Sequence, residues 1–314
     1  MATAPVPEMT RVYQTIFCDS TRWEGYRPRD GDIIVASSYK AGTTWTQAIC
    51  GALIFQSPDP PAPLDDISPW LDSTFEPIDV VLGRLEEMRH RRYIKTHLPL
   101  TAIPYYDNVR YLVVARDGRD VWLSLWNHLG NMRPEFIEKL AKNPPQPGIT
   151  LPPMAETLGE AFDEWISRAH FPWERDGYPV WSHHHHAQTW WDCRHLDNIL
   201  ITHFADMLDD LDGQMRRIAA FLDIPSGDAN WPSLVRSVTF GEMKKHAEQR
   251  APGGNRGHWK DNASFFHQGR NQRWREVLTD EQIERYESTI RELMEPGLVR
   301  WMLREEGSLD PKAL

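Results

Sequence analysis

Four short runs of branched and aromatic residues punctuate the chain: Asp32–Ser37 (DIIVAS), Arg92–His97 (RYIKTH), Val109–Ala115 (VRYLVVA) and Asn198–Thr202 (NILIT). Each has the length and aliphatic content of a buried strand. Apolar spacing with a helical period follows several of them, at Thr44–Phe55, Asp120–Leu129 and Met207–Leu222. Strand and helix in alternation predict an α/β fold, a central parallel sheet flanked by helices on both faces. Ligands of such sheets bind at the carboxyl ends of the strands. Pro58–Pro77 and Pro134–Pro153 are proline-rich and read as irregular, and residues 242–273, rich in Lys, Arg, His and Gly, read as a mobile covering segment. Without repeats or a clear linker, residues 1–314 read as one domain with long insertions.

Composition narrows the function. Of 314 residues, 25% are charged and 40% hydrophobic, the balance of an ordinary globular protein. The 45 acidic residues against 35 basic give a net charge of −10, the wrong sign for a nucleic-acid partner, so any polyanion contact must be local. Cys18, Cys50 and Cys193 are scattered and odd in number, which makes no disulfide framework and suits a reducing compartment. There is no signal-peptide pattern and no apolar run approaching the roughly 18 residues of a membrane span. A soluble, cytoplasmic protein is expected.

The chemistry starts at Ser37–Trp45 (SSYKAGTTW), between a strand and a helix. Gly42 permits close backbone approach, and the amides of Thr43, Thr44 and Trp45 point from a helix N-terminus at an anion. A nucleotide P-loop would carry Gly-Lys-Ser/Thr. Here the lysine, Lys40, comes two residues before the glycine, placed for a group near the loop mouth and not for a distal γ-phosphate. The bland alternative is a strand–turn–helix corner capped by threonine, but a lysine inside the loop favours an anion. Tyr39–Trp45 (YKAGTTW) resembles the 5′-phosphosulfate loop of cytosolic sulfotransferases, written PKSGTTW, with Tyr39 in place of proline. That family transfers a sulfonate from 3′-phosphoadenosine 5′-phosphosulfate (PAPS), leaving adenosine 3′,5′-bisphosphate (PAP). The resemblance implies a P-loop-like strand–loop–helix in which Lys40, Ala41, Gly42, Thr43, Thr44 and Trp45 hold the phosphosulfate and Trp45 stacks on adenine.

Residues 111–128 carry a second block, in which Arg116 leaves a strand and Ser124 lies eight positions on, along the next helix. A guanidinium and a hydroxyl converging on a dianion suit a phosphate, although an Arg–Asp turn alone is ordinary. The spacing matches the family's 3′-phosphate motif. A third block is either Gly253–Lys260 (GGNRGHWK) or Phe265–Arg275 (FFHQGRNQRWR). The family spacing from Phe to Gly to Trp and a basic residue fits Phe265, Gly269, Trp274 and Arg275, as does the distance to Phe240–Met243 (FGEM). The resemblance therefore adds Phe240, Gln268, Gly269 and Arg270 to the nucleotide site. His267-Gln268 replaces the family's Arg-Lys, so the 3′ phosphate would rest more on Arg270 and Arg116. Phe204 stands where the family commonly has a tyrosine near adenine.

The run Lys95-Thr96-His97-Leu98-Pro99 ends a strand and matches the family's catalytic segment in full. A lone histidine among 13 is more often structural, but a strand end in the same sheet singles out His97. The resemblance makes His97 the general base, with Lys40 and Lys95 offsetting charge on the transferred sulfonate and the leaving phosphate. Such a donor needs no metal, and no carboxylate pattern for one is present. Four histidines in a row, His183–His186, would be scattered around a helix and not converge on a metal, with at most one facing the acceptor. Trp70 (in Ser68-Pro69-Trp70-Leu71) and Phe75 fall where the family begins its acceptor pocket, and Trp126, Trp181 and Trp190 are further candidates among 14 tryptophans. The acceptor implied is a small phenol, alcohol or amine, apolar or aromatic, since carbohydrate-directed relatives often use a carboxylate base. Two other readings were weighed: a kinase, which the missing Gly-Lys-Ser/Thr disfavours, and a non-catalytic nucleotide-binding module, which has no need of His97 and Lys95. The family's dimer motif would fall on Arg275, Thr279-Asp280 and Glu284, where Asp280 replaces an apolar valine.

Overall fold

The computed structural model describes residues 7–227, 229–266 and 269–314. Strands β1 (Ile33–Ala36), β2 (Tyr93–Thr96), β3 (Arg110–Ala115) and β4 (Ile199–His203) form one parallel sheet in the order β2-β1-β3-β4. Ala36 lies opposite Thr96 on one side and Val113 on the other, and Ala115 lies opposite His203. Alternate strand residues enter separate cores. Ile34, Ala36, Ile94, Tyr111, Val113 and Ile201 pack on one face, and Ile33, Val35, Tyr93, Leu112, Val114 and Leu200 on the other. Burial on both faces is why these runs are apolar without alternation. The chain leaves β1 toward β2 and returns to β3 on its other side, so the order reverses between β1 and β3, where a doubly wound sheet opens its binding crevice.

The helices are α1 (Thr43–Phe55), α2 (Leu64–Ile67), α3 (Ile78–Glu87), α4 (Gly118–Asn131), α5 (Pro134–Lys142), α6 (Leu158–Ser167), α7 (His183–Trp191), α8 (Phe204–Asp209) and α9 (Leu211–Phe221), followed by several short helices and then by Asp280–Leu293 and Pro296–Leu303. Four expectations need correction. Pro134–Pro153 is not all irregular: Pro134 sits in the first turn of α5, where its missing N–H costs nothing, and Phe136 and Leu140 bury one face. The expected helix Met207–Leu222 is two helices, because Asp210 ends α8 and its carboxylate caps α9 by accepting from the Gly213 amide at 2.9 Å. Pro58–Pro77 likewise holds the single-turn α2. The described part of 242–273 forms short helical turns tied down by defined bonds: the Gly253 amide donates to Asp65 at 2.6 Å, and Arg256 pairs with Glu76 at 2.6 Å and Asp66 at 3.0 Å. Cys18, Cys50 and Cys193 are free thiols. Among the described residues no helix is long and apolar enough to cross a membrane.

Candidate active site

All four strands deliver a residue to one cavity of about 230 Å³: Lys40 after β1, His97 after β2, Arg116 after β3 and Phe204 after β4. The β1 loop is shaped by two left-handed residues, Lys40 at φ 60° and Gly42 at φ 124°. A side chain at Gly42 would also meet the Phe204 ring at 2.8 Å, so only glycine fits. Thr46 N bonds the Gly42 carbonyl at 3.0 Å and starts the helical ladder. Among the described residues the amides of Gly42, Thr43, Thr44 and Trp45 have no partner, the usual orphan donors of a helix N-terminus and a ready anion site. Thr43 Oγ1 bonds Ser37 Oγ, and Trp45 Nε1 donates to the Val238 carbonyl at 2.7 Å. That bond holds the indole beside Phe204, with centroids 5.3 Å apart.

Lys40, Lys95 and Arg116 are the cations nearest the strand ends in this cavity, which Arg256, Arg270 and Arg273 also line. Lys40 Nζ is 3.3 Å from His128 Nδ1 and 4.2 Å over the Phe265 ring. Lys95 Nζ lies 4.5 Å over Trp70. Burial drags Lys40 down to about 7, with Lys95 and Arg116 adding repulsion. Burial also lowers Lys95, to about 8, against the pull of Asp65 and Asp72. The Arg116 guanidinium forms no ion pair among the described residues, because its neighbour Asp117 pairs with Arg119 at 2.7 Å and caps α4. Arg116 instead donates to the carbonyls of Lys40 (3.4 Å) and Arg270 (3.3 Å) and to Asn271 Oδ1 (3.2 Å), lying 4.1 Å over the Phe204 ring.

His97 is 8% exposed, and its Nδ1 lies 2.9 Å from the Ser37 carbonyl. A carbonyl only accepts, so Nδ1 carries the proton and Nε2 keeps its lone pair. Burial and nearby Lys95 hold the imidazolium well below the ordinary range, so the ring is neutral at pH 7. Trp70 stands edge-on to it at 4.9 Å. Behind them buried Asp72 accepts from Thr96 Oγ1 (2.6 Å), Trp23 Nε1 (2.9 Å) and Trp70 Nε1, fixing the strand end.

Ser124, Phe240, Gly269 and Arg270 also line the cavity, together with Thr43, Thr44 and Trp45. Gly269, at φ 62°, is so close to Phe240 that a Cβ would lie 2.3 Å from its ring. Arg270 is half exposed and pairs with Glu276 at 2.9 Å. Gln268 falls outside the described residues. Both C-terminal candidate segments reach the cavity, Gly253, Arg256, His258 and Trp259 from one and Phe265, Gly269, Arg270 and Arg273 from the other. Trp70, Phe75 and Trp181 line it as well, whereas Trp126 and Trp190 do not. None of His183–His186 lines it. His183, His184 and His186 are buried in the packing, and among the described residues no group of three or more His, Cys, Asp or Glu is placed to hold a metal.

Two site residues escaped the sequence reading. His128 follows Ser124 by one helical turn on α4, a spacing that could have exposed it. Arg273 lines the cavity with its Nε buried and, among the described residues, without a hydrogen-bond partner, and it adds repulsion to Arg116.

A strand–loop–helix anion site that carries Lys40, the further cations Lys95 and Arg116, and a neutral imidazole with a free lone pair define a site for transfer of an anionic group. Residues 30–296 match the model of the sulfotransferase domain, and the chain belongs to that family. It is 34% identical to a glycolipid sulfotransferase of Mycobacterium bovis BCG, with 96% of each chain covered. In structure it resembles mouse sulfotransferase SULT7A1 complexed with PAP, at TM-score 0.65, 20% identity and coverage of 91% and 93%. A retinol dehydratase in complex with retinol and PAP matches at TM-score 0.65, 21% identity and coverage of 88% and 84%. The protein is an enzyme of the PAPS-dependent sulfotransferase class.

The lowered lysine pKa values set a pH dependence. An anion in the cavity favours the charged form of both lysines, so above about pH 7 for Lys40 and about pH 8 for Lys95 binding is expected to draw protons onto the free site. PAP affinity is therefore expected to hold below pH 7 and to fall moderately above it, the fall levelling off once the site with neutral lysine carries the binding. Calorimetry at pH 8 in buffers of different ionisation enthalpy should register net proton uptake. Zero uptake would mean that both lysines are already charged in the free enzyme.

Proposed function

We propose that the enzyme transfers the sulfonate of PAPS to a hydroxyl of a small, lipid-like acceptor by in-line displacement, with His97 as general base. The observation that carries this reading is the meeting, in one cavity, of the Lys40 loop amides and the lone pair of His97 Nε2. In this reading Lys40 and the amides of Gly42, Thr43, Thr44 and Trp45 hold the 5′ phosphosulfate, while Ala41, buried and outside the cavity lining with its amide on the Ser38 carbonyl, shapes the loop. Trp45, Phe204 and Phe240 surround adenine. Arg116, Ser124 and the Gln268-Gly269-Arg270 segment meet the 3′ phosphate, and we add Arg273, whose unpartnered Nε supports that role. His97 takes the acceptor's proton as its oxygen attacks sulfur. The bond between sulfur and the bridging oxygen breaks, and the electron pair leaves with the 5′ phosphate. Lys40 and Lys95 offset the charge that grows there, an interaction stronger in the transition state than before it.

The acceptor half of the cavity supports an amphipathic substrate. Trp70, Phe75, Trp181, Trp259 and Phe265 give apolar wall, while Glu76 and Arg256 bring a polar edge. The glycolipid sulfotransferase relative points the same way. An amine could be deprotonated by the same base. The kinase and binding-module readings have no observation in their favour.

Nucleotide choice tests the donor assignment. PAP should bind at least about ten- to a hundredfold more tightly than adenosine 5′-monophosphate, since a hydrogen bond to a charged group contributes about 1.5–3 kcal/mol. Equal affinities by calorimetry would remove Arg116, Ser124 and Arg273 from the 3′ site.

A further inference from the structure

Residues 181–183, leading into α7, touch the ends of three strands at once. Trp181 Nε1 donates to the His97 carbonyl at 2.9 Å, and the Tyr39 hydroxyl donates to the Trp181 carbonyl at 2.8 Å. His183 meets Ser38 Oγ through Nδ1, and its Nε2 lies 3.0 Å from the Arg116 carbonyl. Because that carbonyl accepts, Nε2 carries the proton and Nδ1 accepts from the serine hydroxyl. The ring is 1% exposed and outside the cavity, so it serves neither nucleotide nor acceptor directly. The segment is itself anchored from behind: the Ser182 amide donates to buried Glu174 at 3.0 Å, and its hydroxyl donates to Asp176.

The arrangement also accounts for Tyr39, which replaces the proline of the loop it resembles. A proline would stiffen the backbone by its ring. Tyr39 is instead held through its side chain, accepting from Trp165 Nε1 at 2.9 Å and standing edge-on to Trp181 at 5.6 Å.

We infer that His183 is a positioning residue that locks the Lys40 loop to the Arg116 strand end, so that the two anion-binding groups act as one preformed unit. The inference rests on Arg116 meeting the 3′ phosphate. A ligand with two phosphates gains from a fixed spacing between their sites, because no ordering is left to be done on binding. A ligand with one phosphate gains little. Loss of the lock therefore lowers the preference for PAP over adenosine 5′-monophosphate, whereas a purely structural lesion weakens both alike.

The test measures both affinities by calorimetry for the wild type, His183→Phe, His183→Gln and Ser38→Ala, with thermal melting to verify folding. His183→Phe, which removes both hydrogen bonds of the link, should cut the preference at least about tenfold and change 5′-monophosphate affinity by less than about threefold. His183→Gln, whose amide N–H can reach the Arg116 carbonyl, should recover most of the preference. Ser38→Ala breaks the other end of the link and should shift the preference in the same direction as His183→Phe. An unchanged preference in folded variants, or equal weakening of both nucleotides, overturns the inference. If neither His183 variant folds, Ser38→Ala decides alone, and an unchanged preference there overturns it. If the wild type itself shows no preference, the 3′-phosphate assignment fails and the inference falls with it.

Discussion

His97→Ala is expected to abolish detectable sulfonate transfer to an aliphatic alcohol while PAP affinity stays within a few-fold of wild type. Removing a general base costs about 10²–10⁴ in rate, or roughly 3–5.5 kcal/mol of transition-state stabilisation. The fold should survive, since the ring gives up one hydrogen bond, to the Ser37 carbonyl, worth about 1 kcal/mol. The acidity of the acceptor separates base catalysis from mere packing. An acidic nitrophenol needs less help in losing its proton, so its loss on substitution should be much smaller than the alcohol's. Equal losses for both, measured as kcat at saturating donor, would return His97 to a packing role. Because burial and Lys95 keep His97 neutral well into the acid range, the base itself should impose no fall in rate between pH 6 and 7.

Lys40→Met is expected to leave PAP binding only moderately weaker and to lower turnover strongly. The chain amides of Gly42–Trp45 remain to hold the 5′ group, whereas the charge that develops on the bridging oxygen loses one of the two lysines proposed to offset it. Removing one electrostatic donor of this kind costs about 10²–10³ in kcat. The same substitution should abolish much of the proton uptake on PAP binding, because Lys40 sits near half-charge at neutrality. A variant that loses affinity and keeps its turnover at saturating donor would make Lys40 an affinity residue. His128, 3.3 Å from the ammonium, would then be the next partner to replace.

The strand-end residues were legible because their signals are local. Ser37–Trp45, Lys95–Pro99 and Arg116–Ser124 each hold a strand, a turn and the chemical group within about a dozen positions, and the sheet order brings their ends together. What was not legible depends on contacts between distant segments. Ser38 and His183 are 145 positions apart and Lys40 and His128 are 88 apart, and no periodicity in either segment announces the meeting. The run His183–His186 reads as scattered around a helix, and nothing in it announces that His183 meets Ser38 Oγ and the Arg116 carbonyl. α5 was hidden by the prolines around it, although a proline in the first turn is where a helix tolerates one. The break between α8 and α9 turned on a single capping aspartate, Asp210, inside a continuous apolar pattern. The two C-terminal candidate segments were set against each other as alternatives, yet both line the cavity. The Arg-Lys departure at His267-Gln268 lies outside the described residues, and Arg273, which lines the cavity, was not revealed by motif spacing.

The most direct measurement incubates the enzyme with PAPS and a panel of glycolipids, long-chain alcohols and phenols, and follows nucleotide and acceptor together by mass spectrometry. The account predicts that at least one lipid-like hydroxyl compound gains a sulfonate and that PAP is released one for one with it, in wild type and not in His97→Ala. PAP released with inorganic sulfate alone, or an acceptor sulfated equally well by His97→Ala, would contradict it.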